Sequence, residues 1–158
     1  VKVPPQGPSA TLGVSLKDQE ELSVFTSRPV QARLAPPTQL QVDGANAQED
    51  RELASLMPVF TWEPPTLGTA DVYELRIFRL YASPTSPDVA LTETVATFLT
   101  AQRRVRVPPG MLQSKQAYVV RIAAMRTPGR ELTRTPYRDN SLVDTSLAES
   151  LTSVLSTP

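Results

Sequence analysis

Apolar and polar residues alternate along most of this chain, and prolines cut the alternation into short lengths. A period of two sends successive side chains to opposite faces, the pattern of a half-buried strand and not of a helix. "ATLGVSLKD" sets Leu12, Val14 and Leu16 on one face. "ELSVFTSRPVQARL" sets Leu22, Val24 and Thr26, then Val30, Ala32 and Leu34 after Arg28-Pro29. Pro29 has no amide to give a ladder, so it marks an edge or a kink between two short strands. "APPT" at 35–38 holds the chain extended and reads as a boundary. These features predict a β unit over 1–35, either an N-terminal hairpin extension or the remnant of a preceding domain, and a second β domain over 36–158.

The second unit keeps the same pattern. "TQLQVDG" points Leu40 and Val42 inward. "LMPVFTWEPP" places Phe60 and Trp62 on one face, and Met57, Val59 and Thr61 on the other. "VYELRIFRLYA" opposes Tyr73, Leu75 and Ile77 to Glu74, Arg76 and Phe78. "VALTETVATFLTA" is apolar at Val89, Leu91, Val95 and Phe98 without a clean phase. Val105 and Val107 turn inward against Arg104 and Arg106, and Tyr118, Val120, Ile122 and Ala124 turn inward in "QAYVVRIAAMR". The last segment reads two ways. Leu147, Leu151 and Leu155 are four apart, and Ser146 with Glu149 fits a helical capping box. The strand reading is preferred, because every earlier element is a strand and the last needs a partner. The fold class is therefore all-β.

Composition narrows the chemistry. The chain of 158 residues has neither Cys nor His. Disulfides, thiolate–zinc sites and thiol nucleophiles are excluded, as are the commonest general base and the commonest metal ligand. Sixteen basic residues balance 16 acidic ones, so no field favours nucleic acid. No apolar run is long enough to span a membrane. No glycine-rich phosphate loop or serine elbow occurs. Of the carboxylate clusters, Glu20-Glu21 and Glu49-Asp50-Glu52 read as solvated charges in surface turns, and Asp139 and Asp144 complete the set. No metal and no cofactor are expected. The start "VKVPPQ" reads as an excised or processed piece of a longer protein.

From Pro36 onward the order of elements resembles a fibronectin type III domain. The residues that carry the likeness are "FTWEPP" at 60–65, the Tyr-led "YELRIF" at 73–78, and "VPPGMLQSKQAYVVRIAAM" at 107–125. The resemblance implies an immunoglobulin-like two-sheet sandwich, with Trp62 as its core anchor. It also implies a "tyrosine corner" at Tyr118, six residues after Leu112, whose hydroxyl bonds back to the turn. Departures are the long stretches at 43–56, 81–104 and 127–145, and residues 1–35, which have no counterpart.

Two functional readings follow. The first is a non-catalytic module of an exported or surface protein of a bacterium, acting as spacer or protein-binding domain in an extracellular, cell-surface or periplasmic setting. The loop "TPGRELTRTPYRDN" carries Arg130, Arg134, Tyr137 and Arg138, a composition suited to a contact surface with a protein or cell-surface partner. The alternative is a carbohydrate-binding or accessory module of a polysaccharide-acting protein. It needs an exposed aromatic row drawn from Phe60, Trp62, Phe78, Tyr81 and Tyr137. Outward arginines at Arg76, Arg104, Arg106 and Arg121 suggest either an anion-binding patch or a solvated face paired with Glu74 and Glu93. An enzyme is not expected.

Overall fold

The computed structural model describes residues 11–86, 88–129 and 144–158. In chain order the elements are β1 (Leu16–Gln19), α1 (Leu22–Ser27), β2 (Thr38–Val42), β3 (Ala45–Asn46), β4 (Arg51–Glu52) and β5 (Val59–Glu63). Then come β6 (Val72–Ala82), β7 (Ala90–Thr100), β8 (Arg104–Arg106), β9 (Ala117–Arg126), β10 (Thr145–Leu151) and β11 (Leu155–Ser156). They form two sheets, so the described chain is an all-β protein. The smaller sheet has the order β3-β2-β5-β8, antiparallel throughout. In the larger, β7 pairs with β6 and β6 with β9. The far edge of β9 is shared by β10 and β11, with β1 antiparallel beyond β10 and β4 parallel beyond β11.

One core lies between the sheets. Leu40, Val42, Phe60 and Trp62 come from the smaller sheet, and Tyr73, Leu75, Ile77, Tyr118, Val120 and Ile122 from the larger. These are the inward residues that the alternation predicts. Trp62 is 3% exposed and meets the Tyr73 ring edge-on at 5.4 Å between centroids, a favoured geometry for aromatic quadrupoles. The Tyr118 hydroxyl accepts a hydrogen bond from the Gln113 amide at 2.9 Å, which ties the turn before β9 to the core.

Central strand β9 is buried on both faces, with Val119 and Ala123 as closed off as Val120. Val119 belongs to a second, smaller cluster with Leu80, Ala90, Ala117 and Val154, against which Leu12 and Leu151 pack. The lost phase of 89–101 has a local cause. Ile77 pairs with Ala96 but Phe78 with Thr94, so Val95 is an extra residue in β7. A bulge of this kind moves the apolar set from odd to even positions: Leu91 before it, Ala96 and Phe98 after it.

The strand reading of the final segment holds, in two pieces. Between β10 and β11 the Thr152 hydroxyl accepts from the Val120 amide at 2.9 Å, and the Thr152 amide donates to the Val120 carbonyl at 2.9 Å. A side chain thus replaces one rung of the ladder.

The N-terminal hairpin is corrected within residues 11–35. Only β1 is a strand there, and it pairs with β10 rather than with an N-terminal neighbour. Leu22–Ser27, expected as a strand, is a short helix with no buried residue. The Thr26 and Ser27 hydroxyls donate to carbonyls three and four residues back, a local option that Ser and Thr give a backbone lacking a strand partner. Its alternation did not mark a buried face: Leu22 is 77% exposed, and Val14, Leu16 and Val30 are exposed as well. Of the apolar positions expected to need cover, Leu34 alone is fully buried, in the same core as Leu40 and Trp62.

Trp62→Ala should destabilise the chain by about 3–5 kcal/mol, the range for truncating a large buried aromatic. Urea denaturation followed by far-UV circular dichroism measures this. A loss under about 1 kcal/mol would mean that the ring does not anchor the core.

Candidate contact surface

The ends of the sandwich are held by carboxylates that accept from backbone amides. Asp43 takes the Val59 amide at 2.8 Å, Asp71 the Thr127 amide at 2.6 Å and Glu149 the Ser15 amide at 2.7 Å. Asp50 takes the Val154 amide at 2.9 Å and also the Ser153 hydroxyl. The Ser153 hydroxyl and then the Val154 amide hold the Asp50 carboxyl below its usual pKa, since both bonds favour the charged form. Asp50 and its neighbours were expected to be solvated charges. Asp50 is solvent-exposed, yet it also clasps the chain more than a hundred residues away.

The Arg-rich face resolves into pairs. Arg76 and Arg121 sit opposite each other on β6 and β9, whereas Arg104 and Arg106 lie on β8 in the other sheet. Arg76 meets Glu74 at 2.7 Å, Arg79 meets Glu93 at 2.5 Å and Arg121 meets Glu149 at 3.3 Å. Arg121 also stacks over Phe78, 5.2 Å from the ring centroid. The charges of Arg76, Arg79 and Arg121 are compensated in place, with Glu149 an added partner, while among the described residues no ion pair involves Arg104 or Arg106.

A cleft of about 590 Å³ opens where the N-terminal segment crosses the sandwich. Arg33 is its centre. Its guanidinium bonds Asp144 at 2.7 Å, Asp18 at 3.3 Å and Glu20, and Glu20 also holds Arg28 at 2.9 Å. Arg126 reaches Asp144 at 3.7 Å. Burial opposes the Arg33 charge, but the bonds to Asp144, Glu20 and Asp18 outweigh it and raise its pKa above the ordinary value. Chemically the described lining of the cleft is a set of fixed ion pairs, suited to polar docking. Glu20, expected to be solvated, has only 11% of its side chain exposed. The missed residues are Arg33 and Asp18. Neither stands in a motif, and their meeting depends on the turn made by α1.

The predicted contact residues Arg130, Arg134, Tyr137 and Arg138 lie outside the described residues. The strands on either side are described: β9 ends at Arg126 and β10 begins at Thr145, and Arg126 meets Asp144 at the cleft. The aromatic row is not assembled among the described residues. Phe60 is buried and Phe78 half-buried beneath Arg121, which leaves Tyr81, under the Arg79 guanidinium. Among the described residues no three carboxylates gather as a metal site, and no helix is long and apolar enough to cross a membrane. Scans against protein-family models, characterised proteins and solved structures each return no match.

Two tests follow from this geometry. Gly68 lines the cleft at φ 75°, and a Cβ there would overlap the Arg33 carbonyl oxygen. Gly44 has a similar φ of 80° with open space around it. Gly68→Ala should therefore lose clearly more stability than Gly44→Ala, whose cost is backbone strain of roughly 1–3 kcal/mol; equal urea midpoints would refute the overlap. For Asp50 the folded pKa lies below the unfolded one, so its contribution is complete above the ordinary aspartate range and disappears as pH falls through the folded value. Asp50→Asn should be less stable than wild type at neutral pH, and the gap in melting temperature should narrow with acidification.

Proposed function

We propose that the chain is a non-catalytic β-sandwich module of an exported or surface protein, similar to a fibronectin type III domain, working as a spacer or protein-binding unit. The observation that carries this reading is the use made of the best-placed carboxylates. Asp43, Asp50, Asp71 and Glu149 each accept a backbone amide and brace a loop or a strand end. Carboxylates that hold a scaffold rigid are what a load-bearing or loop-presenting domain requires, because a surface loop binds well only when its stems are fixed.

The fold adds support. The chain passes from β5 in the smaller sheet to β6 and β7 in the larger, returns to β8, and crosses again to β9 and β10. Apart from the parallel β4–β11 pair the layers are antiparallel, and repeated crossing between two such layers is the connectivity of immunoglobulin-like sandwiches. Tyr118, bonded back to the Gln113 amide, stands where the resemblance places the tyrosine corner. Arg126 and Asp144, the described residues that bracket the stretch bearing Arg130, Arg134, Tyr137 and Arg138, meet at the ionic cleft, and that stretch is the contact loop of this reading. Sugar recognition has less behind it, since Phe60 and Trp62 face the core.

A photo-crosslinking residue at position 137 of the full-length chain, in its own cells, tests the assignment. A discrete protein adduct, lost in Arg134→Ala/Arg138→Ala, is expected. Saturable binding to a polysaccharide with no protein adduct would overturn it in favour of the carbohydrate module.

A further inference from the structure

An open sheet edge invites another strand, and proteins blunt such edges by making them short, charged or proline-bearing. The described edges of this sandwich divide sharply on that criterion. β3 and β4 have two residues each. β8 has three, and two of them are Arg104 and Arg106. β1 has four and carries Lys17 and Asp18 at its centre. β7 has 11 residues, no proline and one charge, Glu93, which is tied to Arg79 at 2.5 Å. Its bulge at Val95 is its one other blunting device. Thr92, Thr94, Thr97, Thr100 and Val95 give it a strong strand preference. Among the described residues, β7 pairs with β6 and with no second strand.

Charge selects the occupant. Just before β7 lies Asp88, and Glu93 is in its first half; just after it, in the turn that leads to β8, lies Arg103, all of them exposed. The strand is acidic at its start and basic past its end. A parallel copy would set like charges together. An antiparallel copy, related by a two-fold axis normal to the sheet, sets Asp88 against the partner's basic end, and does so twice, while Glu93 stays in mid-strand with Arg79. A two-fold contact needs such self-complementarity. Arg103 meets Glu63 at 2.6 Å, with both side chains about half exposed, and an exposed pair of that kind yields readily to another acid.

From this edge and its charge order we infer that β7 pairs antiparallel with β7 of a second copy, joining the two larger sheets into one. The contact uses main-chain hydrogen bonds for affinity, as in strand addition generally, and end charges for direction. It is independent of the contact-loop reading, since β7 is not one of the strands that carry the 130–138 stretch.

Sedimentation equilibrium of the full chain from about 1 µM to 1 mM tests the inference, with two charge variants. Asp88→Lys and Arg103→Glu should each weaken self-association by roughly tenfold, and an equimolar mixture of the two should restore it as a heterodimer. Thermal melts establish that both variants are folded. Amide exchange in wild type should slow in β7 with rising concentration and stay constant in β8. A wild-type chain that is monomeric at the highest concentration, or variants that associate as wild type does, would overturn the inference.

Discussion

The pairing of β6 with β9 is the interaction on which the rest of the structure depends. Its register runs unbroken from Val72 opposite Met125 to Leu80 opposite Ala117. Along that run Leu75, Ile77, Val120 and Ile122 face the smaller sheet, and each is at most 1% exposed. On the reverse face Leu80, Ala117 and Val119 form the small outer cluster. A slip of one residue would turn one of the two strands over and put its arginine, Arg76 or Arg121, into the core. The cost of burying unpaired guanidinium groups makes that alternative inaccessible, so the arginines enforce register as well as decorate the surface.

What the sequence made legible follows from range. Alternation in "VYELRIF" and "QAYVVRIAAM" is dictated by burial over many residues, and those strands are where the pattern places them. Trp62 and Tyr118 stand on inward faces of alternating strands, and the likeness to a fibronectin type III domain supplied the roles expected of them. The short run Leu22, Val24, Thr26 misled because three alternating residues do not outvote a local Ser/Thr helix when no partner strand is at hand. β7 lost its phase to one extra residue, Val95, which a strict period cannot represent. The ionic cleft was invisible for another reason: Arg33, Asp18, Glu20 and Asp144 are drawn together by a chain crossing, and spacing in sequence carries no trace of it.

Residues 11–35 bind to the sandwich by polar more than apolar means. Leu34 is sunk in the core, and the Ala35 amide donates to the Leu67 carbonyl at 2.9 Å. Elsewhere the segment is held by the β1 ladder, by Ser15 and Glu149 exchanging hydrogen bonds, and by Arg33. The ion pairs among these attachments are screened by salt, which leaves an apolar seam intact. The segment is thus the part of the fold whose hold on the rest responds most to the medium.

The parallel pairing of β4 with β11 bears on how the chain is made. Arg51 lies opposite Leu155 and Glu52 opposite Ser156, and Asp50 grips the amide of Val154, 104 residues away. Contacts of such sequence separation form late, because a long loop must close before any of them is rewarded. As the polypeptide leaves the ribosome, the 43–56 stretch emerges long before the strand that fixes it. The nascent sandwich must wait half-assembled, with the free edge of β9 uncovered, until its final strand arrives.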